Sequence, residues 1–210
     1  MKFKALSGAC GNGPCSPTVA KGDQIGQESR SAGVRAEPSV TSMDITMSLD
    51  HRAATEVTAT DLAGLQDRTF ACATSTTGHT YPPERRLTAE QLVSYLDRRT
   101  YAVTGTTRPD GRPHASMSMY FRRGATFWLP TVSATVRARN LRTQPWLTLV
   151  VPEGEDEDHI TVIVEGPAET LGLDVTPGEI RAAFDRDWVR AWIRLRAERL
   201  LSYAAEGASP

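Results

Sequence analysis

The sequence predicts a mostly β, α+β domain: six short strands curling into a small closed barrel with helices packed outside, preceded by a largely irregular N-terminal segment. Three observations predict it. Short β-branched and aromatic runs recur after residue 100, each bounded by turn residues. Asp110-Gly111 stands between two of these runs at hairpin spacing, supplying the positive-φ position of a tight turn. One helical pattern stands in front of the strands and two are inserted among them, as expected when helices cover a barrel from outside.

Taken in order, residues 1–84 read as an N-terminal extension, weakly ordered or linker-like, rich in Gly, Ser, Thr, Ala and Pro and without long apolar runs. Within it, Thr41 to Leu49 alternates like one short strand, and Thr60 to Asp67 reads as one helical turn capped by Thr60. Thr74 to Pro83 reads as a linker. The folded domain is expected over residues 85–205. Thr88 to Asp97 is a helix with Thr88 as cap, Gln91 three residues on, and an apolar stripe of Leu92, Val93 and Leu96.

The strands follow. Thr100–Thr107 and His114–Phe121 flank the Arg108–Arg112 turn, and Thr126–Leu129 is the third strand. A short helix covers about Thr135 to Thr143, then Leu147–Pro152 is a fourth strand, ending at the acidic loop Glu153 to Asp158. Ile160–Thr170 is a long fifth strand, β-branched at both parities at first, which predicts burial of both faces. A helix over Thr176–Arg186 has Thr176 as cap and Pro177 in its first position. Trp192–Leu195 is the last strand, with Leu200–Ala205 as its extension.

Composition narrows the function. The 210 residues carry a net charge of -1, with 40% hydrophobic and 23% charged residues, so a packed core is expected and neither nucleic acid nor a membrane is expected as partner. No apolar run approaches the roughly 20 residues that span a bilayer, and the N-terminus lacks the apolar stretch of a secretory signal. The cysteines, Cys10, Cys15 and Cys72, are too few for a disulfide framework, so a cytoplasmic location is expected. The histidines, His51, His79, His114 and His159, have no metal-ligand spacing, and no metal site is expected. Signatures of a P-loop, a dinucleotide fold and a serine triad are all missing.

One local asymmetry stands out. From Arg98 to Arg142 there are nine arginines and a single acid, Asp110. A solvated basic face is the ordinary reading of such a run. The sharper reading is a pocket for a phosphorylated or otherwise anionic small ligand, because Phe127 to Trp146 runs from strand to hydroxyls (Thr131, Ser133, Thr135) and then to Arg137 in the first turn of a helix. The C-terminal aromatics Trp188, Trp192 and Tyr203 read either as packing groups or as a wall for a planar ligand.

Four motifs together resemble a known family. They are Asp110-Gly-Arg-Pro-His114; Thr131-x3-Thr135-x-Arg137-x-x-Asn140-Leu141-x3-Pro145; Val162-Ile-Val-Glu-Gly166; and Trp192-Ile-Arg-Leu-Arg-Ala-Glu-Arg199. From about residue 85 to Tyr203 the chain resembles the pyridoxamine 5'-phosphate oxidase-like split barrels, which bind FMN, or the deazaflavin F420, at a homodimer interface. The resemblance implies a six-stranded split β-barrel and an FMN- or F420-dependent oxidoreductase that moves a hydride to or from a small organic substrate.

It also implies roles. Thr131, Ser133, Thr135, Arg137 and Asn140 would form the phosphate loop, with Arg137 in place of the usual Lys. Ser116, Met117, Ser118 and Met119 would edge the ring. Tyr203 would stand near the partner subunit's ring, and Arg194 would face the substrate side. No side chain is singled out as catalytic. The oxidases proper carry an Arg near Ser116 and another where Val136 stands, so the resemblance points to the broader branch and away from pyridoxal phosphate synthesis. The alternative is a non-catalytic flavin- or haem-binding carrier or sensor, with His114 as haem ligand, and a third reading is an adaptor whose N-terminal segment binds a partner.

Overall fold

A computed structural model describes residues 49–210, with side chains from residue 59 onward. The expected strand before Leu49 and the pair Cys10 and Cys15 lie outside the described residues. The described residues form one compact unit. Its centre is a curled antiparallel sheet of eight strands: β1 (Tyr101–Thr107), β2 (Pro113–Met119), β3 (Phe121–Arg123), β4 (Thr126–Thr131), β5 (Trp146–Glu153), β6 (Ile160–Gly172), β7 (Ala191–Arg196) and β8 (Arg199–Ala204). The strand order is β2-β1-β5-β6-β7-β4-β3, with β8 also on β6. The mostly β, barrel-like architecture is therefore as the sequence predicts, with two more strands.

Both extra strands have local causes. The return strand breaks at Tyr120, whose ring turns inward, its hydroxyl donating to Leu96 O at 2.8 Å. The residues after it form β3, which pairs with β4 instead of β1. At the other end, β7 and β8 run one after the other along β6: Gly172 faces Ala191, Ala168 faces Leu195, Glu165 faces Arg199 and Ile160 faces Ala204. One extra residue at Ala197-Glu198 shifts the register, as in a β-bulge. Gly166 lies against that bulge. A Cβ there would meet Arg196 O at 2.0 Å and Glu198 N at 3.1 Å, so the Glu-Gly ending of the motif is required by backbone approach. The hairpin turn is as expected, with Gly111 at φ 83°.

The helices are α1 (Leu49–Ala71), α2 (Ser75–Thr80), α3 (Ala89–Arg98), α4 (Val136–Asn140) and α5 (Gly178–Ala183). Helix α3 has the predicted Thr88–Gln91 capping box. The segment before it departs most from expectation. Thr60 lies inside α1, well past its start, and the expected linker contains α2. Leu62, Leu65, Gln66 and Thr69 form a buried face at helical spacing. The leucines join the core shared with α3 and the sheet. The polar pair is satisfied: Gln66 Nε2 donates to Leu87 O (3.0 Å), Ser202 Oγ donates to Gln66 Oε1 (2.5 Å), and Thr69 Oγ1 accepts from Leu200 N (2.9 Å). The boundary expected at residue 84 thus falls inside a continuous packed core.

Two further expectations change. Helix α5 is shorter than predicted, and Thr176 does not cap it; the Thr176 hydroxyl donates to Gly172 O instead. Strand β6 is buried on one face and half-buried on the other along its first nine residues, not buried on both. Helix α5 and Phe184 pack with Trp128, Val189 and Trp192 in a second apolar cluster. Trp192 is therefore a core residue, while Trp188 stays 48% exposed. Among the described residues no helix is long and apolar enough to cross a membrane, and no cluster of potential ligands could hold a metal ion.

Candidate anion site between two strand ends

The Thr131–Asn140 segment folds locally as its sequence suggests. Strand β4 ends at Thr131, and the Thr135 hydroxyl caps α4 by accepting from Ala138 N at 3.3 Å. That turn throws Arg137 back across the strand ends. Its Nη1 donates to Met117 O of the edge strand β2 (3.2 Å), and its Nη2 to Pro130 O (3.3 Å) and Thr131 Oγ1 (3.4 Å) of β4. Arg137 therefore bridges β2 and β4, which are not hydrogen-bonded neighbours in the sheet.

The electrostatics favour an anion. All three acceptors of Arg137 are neutral, and its buried Nε has no partner. Burial alone pushes the guanidinium pKa below its ordinary value, with no carboxylate opposing it. A guanidinium is nonetheless charged at neutral pH. A half-buried charge held by neutral dipoles gains from an anion in a way that a solvated surface arginine does not.

The hydroxyls divide their work. Thr131 is fully buried, and its Oγ1 accepts from Arg137 and lies 3.2 Å from Thr135 Oγ1. The Thr131 hydroxyl also donates to Val132 O at 3.5 Å. Thr135 accepts from Ala138 N, and its own proton serves either Thr131 Oγ1 or a ligand. Thr131 is thus a buttress, where the resemblance implied a direct phosphate contact. Asn140 is likewise 3% exposed, donating from Nδ2 to Thr106 Oγ1 at 2.9 Å. Ser133 is exposed, and its carbonyl accepts from Arg142 at 3.4 Å. With five residues, α4 is too short to act as a helix terminus for the ligand, so the charge resides on Arg137.

Strand β2 contributes the rest of the neighbourhood. Ser116 Oγ lies 2.9 Å from Thr104 Oγ1 on the inner side. Ser118 is buried and donates to Met119 O, while Met117 is 61% exposed. The structure therefore brings Ser116 to Met119 and Thr131 to Asn140 together through Arg137. Tyr203 and Arg194 lie elsewhere in the protomer. Tyr203 stacks on His159 (5.1 Å) and meets the edge of Tyr81 (6.3 Å) beside a cavity of about 310 Å³. Arg194 pairs with Glu169 at 2.6 Å and lies over Trp128.

Sequence reasoning missed an inner polar layer. On the core-facing side of β1 and β2, Thr104 bonds with Ser116, and Thr106 separately with His114 and Asn140. The signal was available: Thr104 and Thr106 alternate with Ala102 on one face of β1, which puts hydroxyls at positions a barrel interior would fill with aliphatic groups.

A sequence model of the family described as Pyridoxamine 5'-phosphate oxidase matches residues 88–200, over half of the chain. The chain belongs to this family. The match covers the whole Arg137 neighbourhood, whereas α1, α2 and Tyr203 fall outside it. No curated protein matches in sequence. Solved structures are similar to the chain. A conserved hypothetical protein from Mycobacterium tuberculosis aligns at TM-score 0.51 with 20% identity, covering 59% of this chain and 89% of that one. A putative pyridoxamine 5'-phosphate oxidase from Listeria innocua aligns at TM-score 0.47 with 15% identity over 54% and 95% of the two chains. An F420 reductase aligns at TM-score 0.42 with 19% identity over 51% and 93%. At these identities the likeness is one of fold.

Proposed function

We propose that the protein is a homodimeric oxidoreductase that holds FMN, or alternatively F420, by its phosphate at Arg137 and moves a hydride to or from a small organic substrate. The observation that carries this reading is the Arg137 guanidinium, half-buried, without a carboxylate, and fixed by three neutral acceptors where the family motif predicts a phosphate. The donor set suits either group: Arg137 and the Thr135 proton for a phosphate, and next to them the β2 segment Ser116–Met119 for the edge of a planar ring. When bound, such a ring exchanges a hydride at N5 of a flavin or C5 of a deazaflavin. Arg137 holds the charge, Thr131 and Thr135 set its orientation, and Met117 and Met119 offer apolar surface to the ring. No side-chain acid or base is required of this chain.

The homodimer is supported by one sheet face. Met117, Val103, Val150, Ile163 and Leu201 follow each other across five strands in register. Four of these side chains are partly or largely solvent-accessible within the protomer, beside the 57% exposed Tyr101. A continuous apolar row of this width is what a second copy would cover. It also accounts for the β-branched residues on both faces of β6. Tyr203 lies on the same face, one residue pair beyond Leu201, so the interface would carry it toward the partner's site.

The test is titration of the full chain with FMN and with F420, followed by ring fluorescence and absorbance. Saturable binding of either, at micromolar concentration or below, supports the reading. A protein that binds neither contradicts it, and a Soret band with haem would favour the carrier alternative.

A further inference from the structure

One group of the inner polar layer ends at His114, to which the oxidoreductase reading gives no part. His114 Nδ1 lies 3.4 Å from Thr106 Oγ1, and that hydroxyl accepts from Asn140 Nδ2 at 2.9 Å. Because Thr106 already accepts from the amide, its own proton is available to His114 Nδ1. A hydroxyl accepts twice and donates once, so Thr106 can donate to a neutral Nδ1 or accept from a protonated one, and in both cases Nε2 is the ring's free polar edge. Asn140 is a residue of the helix that bears Arg137, so the relay ties the orientation of the imidazole to the loop that holds the guanidinium.

The surroundings of His114 are cationic. The charged groups acting on it are Arg108, from the hairpin turn, and Arg137, from α4. No carboxylate is among them: the acid in that turn, Asp110, is taken by Arg112 at 2.6 Å. Burial first, and then the two arginines, hold the His114 pKa below the ordinary histidine value. An anion on Arg137 cancels part of that field and adds an attraction of opposite sign.

We propose that His114 is a further binding residue of the Arg137 pocket, taking up a proton as an anion settles there and so coupling affinity to pH. The inference rests on the anion site proposed above, but not on which cofactor fills it. The sign follows from linkage. The proton is held more tightly in the bound form, so affinity is greatest below the pKa of the free protein. It falls as pH rises toward the pKa of the complex and is level above that. A rise of one unit in that pKa corresponds to about a tenfold span in affinity.

The experiment uses the full chain with ¹⁵N-labelled histidine, and inorganic sulfate as a probe that does not itself titrate near neutrality. The ring signals are followed from pH 5 to 8.5 with and without sulfate, His114 being assigned by its loss in His114→Asn. The expected result is a His114 pKa below the ordinary value without sulfate and raised by about one unit with it. That shift should vanish in Arg137→Met. A His114 pKa that ignores sulfate, while sulfate still binds wild type and not Arg137→Met, overturns the proposal. Failure of FMN and F420 to bind, with the sulfate response intact, would count against the cofactor reading alone.

Discussion

Replacing Arg137 with Met separates the two jobs this side chain could do. As a clamp, Arg137 makes three hydrogen bonds of 3.2–3.4 Å, all to neutral acceptors. Each such bond contributes about 1 kcal/mol, and releasing a guanidinium that lacks a carboxylate partner offsets part of their loss. The stability change is therefore expected to stay within about 2 kcal/mol, a melting shift of at most about 4–8 °C for a domain of this size. As an anion ligand, Arg137 makes charge-assisted bonds worth about 1.5–3 kcal/mol, so the Met variant should raise the cofactor Kd by roughly 10- to 150-fold. Arg137→Lys should fall between, because the ammonium lacks the planar fork. The assay is a fluorescence titration beside a thermal melt. A Met variant that binds cofactor within about twofold of wild type would refute the assignment. So would one that loses binding only because it no longer folds.

Three other perturbations test the frame around the site. Gly166→Ala must displace backbone at the bulge, since its nearest neighbour is Arg196 O at 2.0 Å; urea denaturation should show a loss of about 3 kcal/mol or more. Gln66→Leu strands Leu87 O and removes an acceptor from Ser202, costing about 1–3 kcal/mol in the same assay, whereas a peripheral α1 would be insensitive. Ile163→Asp places a charge in the middle of the apolar row; sedimentation should show a monomer, and cofactor binding should weaken with it.

The parts that were legible in the sequence are those where local chemistry decides structure. The Thr88–Gln91 capping box, the Asp110-Gly111 turn and the Thr131–Arg137 segment each contain their own hydrogen-bond partners within a few residues. What was not legible depends on distant partners. Half of the buried face of α1 is polar, and Gln66 and Thr69 look like surface residues until Leu87, Leu200 and Ser202 supply their bonds. The bulge at Ala197-Glu198 has no signature of its own, and it is what requires the glycine at 166 opposite. Tyr203 and Arg194 came from the family resemblance, and the contacts within one protomer place neither beside Arg137. The burial of Thr131 follows from its position at the end of β4, beside β7, which the local motif does not encode.

The central claim is that a cofactor phosphate rests on Arg137. Phosphorus-31 spectra of bound FMN, recorded across the phosphate's second ionisation near pH 6, test it most directly. The account predicts a displaced resonance that no longer titrates over that range in wild type, and a free-like, titrating one in Arg137→Met at concentrations that saturate it. A bound phosphate that titrates like free FMN in the wild-type protein would contradict it.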